Sequence, residues 1–571
     1  MRSTSFAVWL TLSLPLGLGC GPQQLGTDDE VGDGDGDGDG DGDGDCGECD
    51  DGYSELWLTT NKDVDVLLVI DNSGSMGLAQ AKLANSFAAF IDVLEDPNVA
   101  VNYRIGLTTS DNGNPWCPAG TTTPEGGKLV LSSCQTRLGD FTFSDTVDVR
   151  DLACNDLCTL GPAELEVLPS ATDYDPNKAP RPWLERIEGV QNLPEGTDMA
   201  EAFKCFAPQG VNGCGFESQL ESMYLALART QDSNEASYGF MRDSAVLAIV
   251  IVTDEVDCSY NKAWADIFAQ DGNKVFWSDP SASFPTSALC WNAGVQCSGD
   301  PSGYDACDPV DKGIGGEVGV ADADAVLHPL QRYVDRVQGI EDAKKELNPD
   351  QEVIVALIGG VAEDGSIFYA DVGASDPVFQ DSFGIGPGCT NFEGQTGLPP
   401  VRMRDFVEAS TPGNLFSICA SDYTPAFQAI ANSIRDQIEP ACHTQCVWDS
   451  KPETEVVDPV CSVRQKSPGL DAIEVQECVR DLDGSYAVDP DTLGYTLPDA
   501  VDVCFALLVD PGNLTSDPND DMSIACTDLH YNLEFELARR AGVPAPGGTA
   551  VSVKCTLDDD PNACPNLGIP G

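Results

Sequence analysis

The sequence predicts an α/β domain with a doubly wound, mostly parallel sheet, followed by a smaller β-rich domain held by disulfides. Between residues 64 and 438, apolar runs of strand length alternate with segments whose apolar residues recur at helical spacing. Past Cys442 the helical patterns fade, and short strand patterns separated by Pro, Gly, Asn and Asp replace them. We therefore expect an α/β domain at 56–440 with Cys-rich insertions and a second domain at 441–571.

Each element of the first domain follows from a local pattern. Continuous apolar runs predict strands at 66–70, 101–109, 246–253, 353–358 and 415–419. Helical spacing predicts helices over 77–94, 198–206, 217–228, 327–340 and 424–438. The Gly- and Cys-rich stretches at 111–190 and 258–320 interrupt the alternation, so we expect them to be insertions at the rim of the sheet. In the second domain, strands are predicted at 501–508, 532–537 and 549–555.

An oxygen-rich loop follows the first of these strands. Asp71, Ser73 and Ser75 occupy alternate positions after the apolar run, and Gly74 allows the backbone to curl tightly between them. Open parallel sheets bind ligands beyond the carboxyl ends of their strands, which is where this loop lies. Carboxylate and hydroxyl oxygens are ligands for hard divalent cations. The loop is therefore a candidate metal site, whereas Ser at position 73 argues against a phosphoaspartyl-transfer loop, which needs a second Asp there.

This loop resembles the Asp-x-Ser-x-Ser element of von Willebrand factor A domains, which hold Mg²⁺ or a similar cation at a metal-ion-dependent adhesion site. As a whole, the chain resembles Cys-rich surface lipoproteins of myxobacteria and their relatives. The resemblance covers residues 60–440 well and the C-terminal part only in general style. It implies that Asp254, after the strand at 246–253, belongs to the site. The family places a Thr before the helix that begins near 217. Glu217 stands at that position here, with Thr197 as the alternative, and a carboxylate there would favour tighter retention of the cation, whether Mg²⁺, Ca²⁺ or Mn²⁺.

The N-terminal segment has the architecture of an export signal. A mostly apolar stretch at 6–18 is too short to span a bilayer and leads to Gly19 and Cys20. A Cys after a small residue resembles a bacterial lipobox, which implies lipidation of Cys20 and attachment to the outer membrane or cell surface by the lipid alone. Gly17 stands where the lipobox usually has Leu, so plain cleavage or a retained anchor are the alternatives. We expect a signal peptide at 1–20 and an acidic Asp-Gly tether at 21–55 that cannot form a core.

The net charge and the cysteine content limit the possible partners and the state of the cysteines. A formal charge of −64 excludes a nucleic-acid partner. Of the 23 cysteines, setting aside Cys20 leaves an even number, and an exported chain with this content is expected to form disulfides. We expect pairing inside local groups, namely 46–49, 117–158, 205–214, 258–307, 389–419 and 442–564. Zinc binding by Cys46 and Cys49, or around Cys442 and Cys446, is the alternative.

Three functions compete at this level. The favoured one is a binding or adhesion protein whose cation accepts an Asp or Glu carboxylate from a protein partner, as the resemblance implies. The second is a structural surface protein whose cation only stabilises the fold. A hydrolytic enzyme is the weakest reading, because His328, His443 and His530 cannot be placed in a catalytic set around the metal loop. We therefore predict a non-enzyme.

Overall fold

The computed structural model describes residues 53–58, 62–95, 101–117, 122–144, 146–345, 351–435, 437–438, 441–443, 445–454, 456–466, 471–482, 484–488, 494–511, 514–523, 526–527, 531–540 and 550–558. The predicted signal peptide, Cys20, nearly all of the predicted tether, and Cys46 and Cys49 lie outside these residues. The helices and strands below are therefore those of the described part of the chain.

A seven-stranded sheet forms the centre of the first half of the chain. Its strands lie in the order Leu415–Ser417, Ile354–Gly359, Val246–Val252, Asp63–Ile70, Asn102–Thr109, Trp183–Ile187 and Val190–Gln191. The first five are mutually parallel, and the last two add antiparallel pairs at one edge. Strands buried on both faces are what continuous apolar runs predict. The mixed α/β architecture with a parallel central sheet is thereby confirmed.

Helices cover both faces of this sheet. Alternate residues of the strand Asp63–Ile70 supply the two cores: Val66 and Leu68 pack on one side, and Leu67 and Val69 on the other. Against the first side lie the helices Gly77–Ser86, Ala88–Leu94, Met199–Phe206 and Thr424–Arg435. Against the second lie Gln219–Thr230, Gln331–Lys345 and Val401–Ser410. Helices on both faces match the predicted doubly wound arrangement.

The insertions carry short elements of their own. They contain the helices Ala288–Gly294 and Pro377–Phe383, short helical turns at Cys134–Phe141, Asp151–Asn155, Lys262–Phe268 and Asp322–Asp324, and three small hairpins. The hairpins pair Thr142–Phe143 with Val147–Asp148, Val295–Asp300 with Gly303–Pro309, and Cys389–Thr390 with Thr396–Gly397. Two elements of the main sheet and its helices were not predicted. The strand Trp183–Ile187 lies inside the stretch that we expected to be an insertion, and the helix Val401–Ser410 had no prediction.

A second seven-stranded sheet occupies the C-terminal part. Its order is Tyr53–Leu58, Ala550–Thr556, Cys461–Lys466, Ile473–Glu477, Val503–Leu508, Glu534–Arg539 and Ala441–Cys442. All neighbours are antiparallel except Ile473–Glu477 and Val503–Leu508. The edge strand Tyr53–Leu58 comes from the other end of the chain and begins within the range predicted as tether. It thus connects the start of the described chain to its last strand.

Disulfides fasten both parts. Those with both cysteines in the described ranges are 117–214, 134–154, 158–205, 258–290, 297–307, 389–419, 442–526, 461–555 and 478–504. Cys446 is disulfide-bonded as well, so a zinc site with Cys442 is wrong. The predicted disulfide content is confirmed, and it indicates an oxidising compartment.

The expected grouping of cysteines fails in one place. Cys117 pairs with Cys214 and Cys158 with Cys205, so the groups 117–158 and 205–214 are joined to each other. The reason is that the parallel sheet brings the loop after one strand next to the loop before a distant helix, and sequence proximity does not record this.

In the described part of the chain, no helix has the length and apolar content that crossing a bilayer requires.

Candidate metal centre

Asp71 occupies the carboxyl end of the central strand Asp63–Ile70 and is fully buried. Its amide donates to the carbonyl of Val252 on the neighbouring strand, at 2.9 Å. Its Oδ1 accepts the Ser73 amide at 2.8 Å, and its Oδ2 accepts the Thr253 hydroxyl at 2.5 Å. Backbone and side chain of Asp71 are therefore held by two adjacent strand ends.

The two serines of the loop connect Asp71 to Asp254. Ser73 Oγ and Ser75 Oγ lie 3.3 Å apart. Ser75 Oγ donates to Asp254 Oδ1 at 3.1 Å, although 179 residues separate the two in sequence. Ser73 is buried while Ser75 is exposed, so this group of oxygens opens to solvent at Ser75. The structure thus brings together four of the five residues that the sequence singled out.

Glu217 lies in the loop that precedes the helix Gln219–Thr230. The Ser218 amide donates to the carbonyl of Ser110 at 2.9 Å, which fixes this loop against the end of the strand Asn102–Thr109. Glu217 is 2% exposed, and its Oε1 has no hydrogen-bond partner among the described residues. Burial raises the pKa of Glu217 well above its usual range, and the charges of Asp71 and Glu255 add to the effect.

Thr197, the alternative to Glu217, lies elsewhere. Its hydroxyl donates to the carbonyl of Glu164 at 3.2 Å, and its own carbonyl accepts from Gln191 Nε2 at 2.8 Å. These contacts belong to the insertion around the edge strand Val190–Gln191. Of the two candidates, Glu217 is the one whose pKa the charge of Asp71 raises, and the segment leading to it is joined to the metal loop by the hydrogen bond from the Gly213 amide to the Asn72 carbonyl.

Two further residues belong to the centre and were not singled out. The Thr253 hydroxyl accepts from Gln219 Nε2 at 2.8 Å while it donates to Asp71, so it relays between the helix and the loop. Glu255 Oε2 is buried without a hydrogen-bond partner among the described residues. Burial raises the pKa of Glu255 well above its usual range, followed by the charges of Asp254 and Asp71. The sequence signal for Glu255 was its position directly after Asp254.

The centre gathers four carboxyl groups whose pKa values are raised by burial. Burial raises the pKa of Asp71, against the effect of the Thr253 hydrogen bond. Burial together with the charge of Asp71 raises the pKa of Asp254 to about 8. No Lys or Arg of the described residues is among the largest influences on these groups or on Glu217 and Glu255. Buried carboxylates are otherwise paired or coordinate metals, so these oxygens fit a hard divalent cation.

The carboxylates of the Asp71 centre do not form the tightest acidic group among the described residues. In the described ranges, the three carboxylates whose oxygens all lie within 4.8 Å of one another are Asp510, Asp520 and Asp521 in the C-terminal part. Asp510 there accepts the amides of Leu514 and Thr515 at 2.9 and 2.6 Å, as turn residues do. At the Asp71 centre, by contrast, the serine hydroxyls lie between the carboxylates of Asp71 and Asp254.

The two described histidines, His328 and His443, make their contacts away from this centre. The carbonyl of His328 accepts from Arg402 Nη2 at 2.7 Å, in a buried network that also joins Arg402 to Asp257. His443 is buried in the C-terminal part, 6.4 Å from the Phe535 ring, and its Nδ1 contacts the carbonyl of Gln445. His530 lies outside the described residues. Neither described histidine offers a general base near Asp71.

Comparisons with known proteins give little further information. No protein-family model matches the chain, and no curated protein matches it. Among solved structures, the chain is similar to the pilus adhesin SpaC from Lactobacillus rhamnosus GG in an open conformation, with 9% identity and a TM-score of 0.24 over 88% of this chain and 40% of that one. Another form of SpaC matches with the same identity and TM-score over 89% and 41%. The chain therefore spans about two fifths of the adhesin's length, and a TM-score at this level establishes neither a shared fold nor a shared activity.

Proposed function

We propose that this chain is an exported binding protein with a von Willebrand factor A type domain, in which a divalent cation accepts a carboxylate from a protein partner. The cation, Mg²⁺ or alternatively Ca²⁺ or Mn²⁺, would be held by Asp71, Ser73, Ser75, Glu217 and Asp254. The observation that carries the proposal is the hydrogen bond from Ser75 to Asp254, because it joins the serine loop to the neighbouring strand end. No hydrolytic activity is proposed.

The unpartnered oxygens support a cation at this point. Glu217 Oε1 and Glu255 Oε2 are buried without hydrogen-bond partners in the described part, and an unpaired buried carboxylate is costly. A divalent cation would supply the missing positive charge. Mg²⁺ prefers six oxygens, and two hydroxyls with three carboxylates that give one oxygen each leave a sixth position for an incoming ligand. Ser75 is exposed, so that position would face solvent, where a partner's Asp or Glu can reach it.

The cellular setting is part of the proposal. The disulfides of the described part support an exported chain, and lipidation of Cys20 would attach it to the outer membrane or the cell surface. The acidic segment from residue 21 would then hold the binding domain away from the membrane. Since the chain is strongly acidic, the cation would be the main local attraction for a partner carboxylate.

A structural cation is the second candidate, and Glu217 favours it. A carboxylate in place of a neutral Thr, together with Glu255, brings the centre to four acidic side chains. More carboxylates fill more of the coordination shell and lower its remaining positive charge. Under this reading the cation stabilises the fold and no partner carboxylate binds. The two candidates therefore differ in one observable, which is carboxylate binding by the loaded protein.

The deciding experiment uses capped tripeptides with a central Asp or Asn on the full chain, with Mg²⁺ or with chelator. We expect Asp peptides to bind only with the cation and Asn peptides not at all. Replacing Ser73 and Ser75 by Ala should abolish this binding. The matched control replaces Ser281 and Ser302, exposed serines whose hydroxyls also donate to a nearby Asp, and should leave it intact. Cation binding without Asp-peptide binding would support the structural role, and a parent chain that binds no cation would refute both.

A further inference from the structure

An open cleft of about 390 Å³ lies against the proposed cation position. Ser75, Asp254 and Glu255 line the part of the cleft next to the cation, and the same cleft continues over an apolar surface formed by Leu78, Phe379, Phe383 and Leu398. Its volume is within the range of sites that bind small ligands or side chains. Any group that reaches the cation through Ser75 therefore brings its neighbours into this cleft.

The aromatic wall is held in place by its own helix. The helix Pro377–Phe383 is capped at its N-terminus by Asp376, whose Oδ1 accepts the Phe379 amide at 3.0 Å. At its C-terminus it is capped by Gly384, which has a φ of +78°. The rings of Phe379 and Phe383 lie 4.6 Å apart, and both pack on the buried cluster that contains Leu398. Each ring is half-buried, so part of its surface faces the cleft.

The rest of the lining, from Glu393 to Leu398, is tied to Asp254 and to the helix Gly77–Ser86. Leu398 donates its amide to the carbonyl of Asp254 at 2.8 Å. Lys82, which is 8% exposed, reaches from the helix Gly77–Ser86 to Gln395 Oε1 at 2.9 Å and to Glu393 Oε2 at 3.1 Å. The positive charge of Lys82 is therefore paired with Glu393, a residue that lines the cleft. Among the described residues that line the cleft, none is a Lys or Arg.

We propose that the cleft receives the side chain next to the cation-bound carboxylate, and that the ligand is a protein segment in which Asp or Glu adjoins a large apolar residue. The inference rests on the proposed function. Charge and polarity select this occupant. Glu255, next to the cation, disfavours a second acidic side chain, whereas Glu393 is already paired with Lys82. A polar side chain would lose its water on the apolar surface and gain no hydrogen bond from it. A Phe or Leu side chain would instead bury apolar surface against Phe379, Phe383 and Leu398.

The test compares the affinities with which capped dipeptides bind to the full chain loaded with Mn²⁺. The probes are Asp-Phe, Phe-Asp, Asp-Ala, Asp-Glu and Asn-Phe. We expect the better of Asp-Phe and Phe-Asp to bind about ten- to a hundredfold more tightly than Asp-Ala, because a Phe side chain is removed from water. Asp-Glu should bind more weakly than Asp-Ala, and Asn-Phe should not bind. Equal affinities for Asp-Phe, Phe-Asp and Asp-Ala would overturn the inference.

Variants locate the preference in the cleft. Phe379→Ala and Phe383→Ala should bring the Asp-Phe and Asp-Ala affinities within about threefold of each other, while Mn²⁺ affinity stays unchanged. Phe392→Ala is the matched control, since Phe392 lies in the adjacent hairpin, is 90% exposed and does not line the cleft. A Phe preference that survives both cleft variants would overturn the inference.

The outcomes separate this inference from the proposed function. If all Asp dipeptides bind alike with Mn²⁺, the cleft has no role and carboxylate binding stands. If Mn²⁺ binds and no Asp dipeptide does, carboxylate binding fails and the cleft inference fails with it. Self-association that saturating Asp-Phe does not reverse, and that Phe383→Ala removes, would assign the cleft to a second copy of the chain and overturn the peptide-ligand inference.

Discussion

The Thr253 hydroxyl donates a 2.5 Å hydrogen bond to Asp71 Oδ2, across 182 residues of sequence. The two residues follow adjacent parallel strands, and the backbone bond from Asp71 to Val252 runs beside the side-chain bond. The other Asp71 oxygen is held by the Ser73 amide. The carboxylate of Asp71 therefore has a fixed orientation before any cation binds.

Thr253→Val tests the value of this orientation. Valine keeps the shape of the side chain and removes the hydroxyl, which leaves both Asp71 Oδ2 and Gln219 Nε2 without this partner. Groups that orient metal ligands typically change metal affinity by about ten- to a hundredfold when they are lost. We expect Mn²⁺ affinity, measured by titration calorimetry, to fall by about tenfold or more. Thr253→Ser restores the hydroxyl and should return affinity close to that of the parent; an unchanged affinity in the Val variant would show that Thr253 does not orient the site.

Glu217→Gln tests the unpaired charge. In chelator, the parent must either keep this buried carboxylate charged beside Asp71 and Glu255 or take up a proton, and both cost free energy. The amide removes that cost, so we expect the melting temperature in EDTA to rise by about 1–2.5 °C, corresponding to about 1–2 kcal/mol for a domain of this size. The same variant should lose most of the stabilisation that saturating Mg²⁺ gives the parent, which is about 2.7 kcal/mol at a hundred times Kd.

The control for Glu217 is Glu195→Gln, which changes an exposed glutamate and should alter neither temperature. A melting temperature in EDTA that falls in Glu217→Gln would mean that the carboxylate stabilises the fold without a cation. That result would contradict its place in a cation site.

The alternation of strands and helices was predictable because each long element carries its own pattern. The strand Val246–Val252 is apolar at every position, and Thr424 and Pro425 mark the start of their helix. The strand Trp183–Ile187 was missed because it is short and lies in a Pro- and Gly-rich stretch, where antiparallel pairing with Asn102–Thr109 creates it. The pairing of Tyr53–Leu58 with Ala550–Thr556 depends on contacts between the two ends of the described chain, which no local pattern records.

The candidate site was predictable where residues follow strands directly. Asp71 and Asp254 each come one or two positions after an apolar run, so parallel strands bring them to the same edge. Thr253 and Glu255 flank Asp254 and were missed. Along an extended backbone, neighbouring side chains point to opposite faces of the sheet, so the two residues were not expected on the side of Asp254. The loop after the strand turns both of them inward. The aromatic wall at Phe379 and Phe383 lies in an insertion, so only the structure shows that it adjoins the metal loop.

A buried ion pair lies at the opposite end of the same strands. Arg242 is 1% exposed, and its Nε and backbone amide donate to the two oxygens of the fully buried Asp65, at 2.9 and 2.6 Å. Its Nη2 also donates to the carbonyl of Val64 at 2.9 Å. Arg242→Met would leave the Asp65 carboxylate buried without its charged partner and would also remove the ion pair between Arg242 and Asp63 at 2.8 Å. We therefore expect a loss of about 3–5 kcal/mol in the free energy of unfolding.

The double variant Arg242→Met with Asp65→Asn removes both charges. It should lose clearly less stability than the sum of the two single variants, as measured in denaturant titrations. Mn²⁺ affinity at 20 °C should be unchanged in every variant that folds, because the pair lies at the other end of the strand from Asp71. Additive losses would show that the pair contributes no coupling energy.

The disulfide Cys117–Cys214 holds the two loops that border the candidate centre. Cys117 lies in the loop after the strand Asn102–Thr109. The neighbouring Gly213 donates its amide to the carbonyl of Asn72, and the Cys214 amide donates to Asp111 Oδ2 at 3.3 Å. Without the bond, the segment leading to Glu217 loses its covalent link to the rim of the sheet. We expect the variant with both cysteines replaced by Ser to lose about 4–5 kcal/mol of stability, since the bond spans 97 residues, and also to bind Mn²⁺ about tenfold more weakly.

Cys297 and Cys307 provide the control, because their disulfide spans 10 residues across a hairpin in a different insertion. Replacing both by Ser should cost about 2.5–3 kcal/mol by the same chain-entropy relation, with no change in Mn²⁺ affinity. Thermal melts with and without Mn²⁺, followed by titration well below the melting temperature, separate the two effects. If both pairs of substitutions weaken Mn²⁺ binding equally, the loss reflects general destabilisation. If only the Cys117–Cys214 variant does so, the disulfide holds Glu217 in place for the cation.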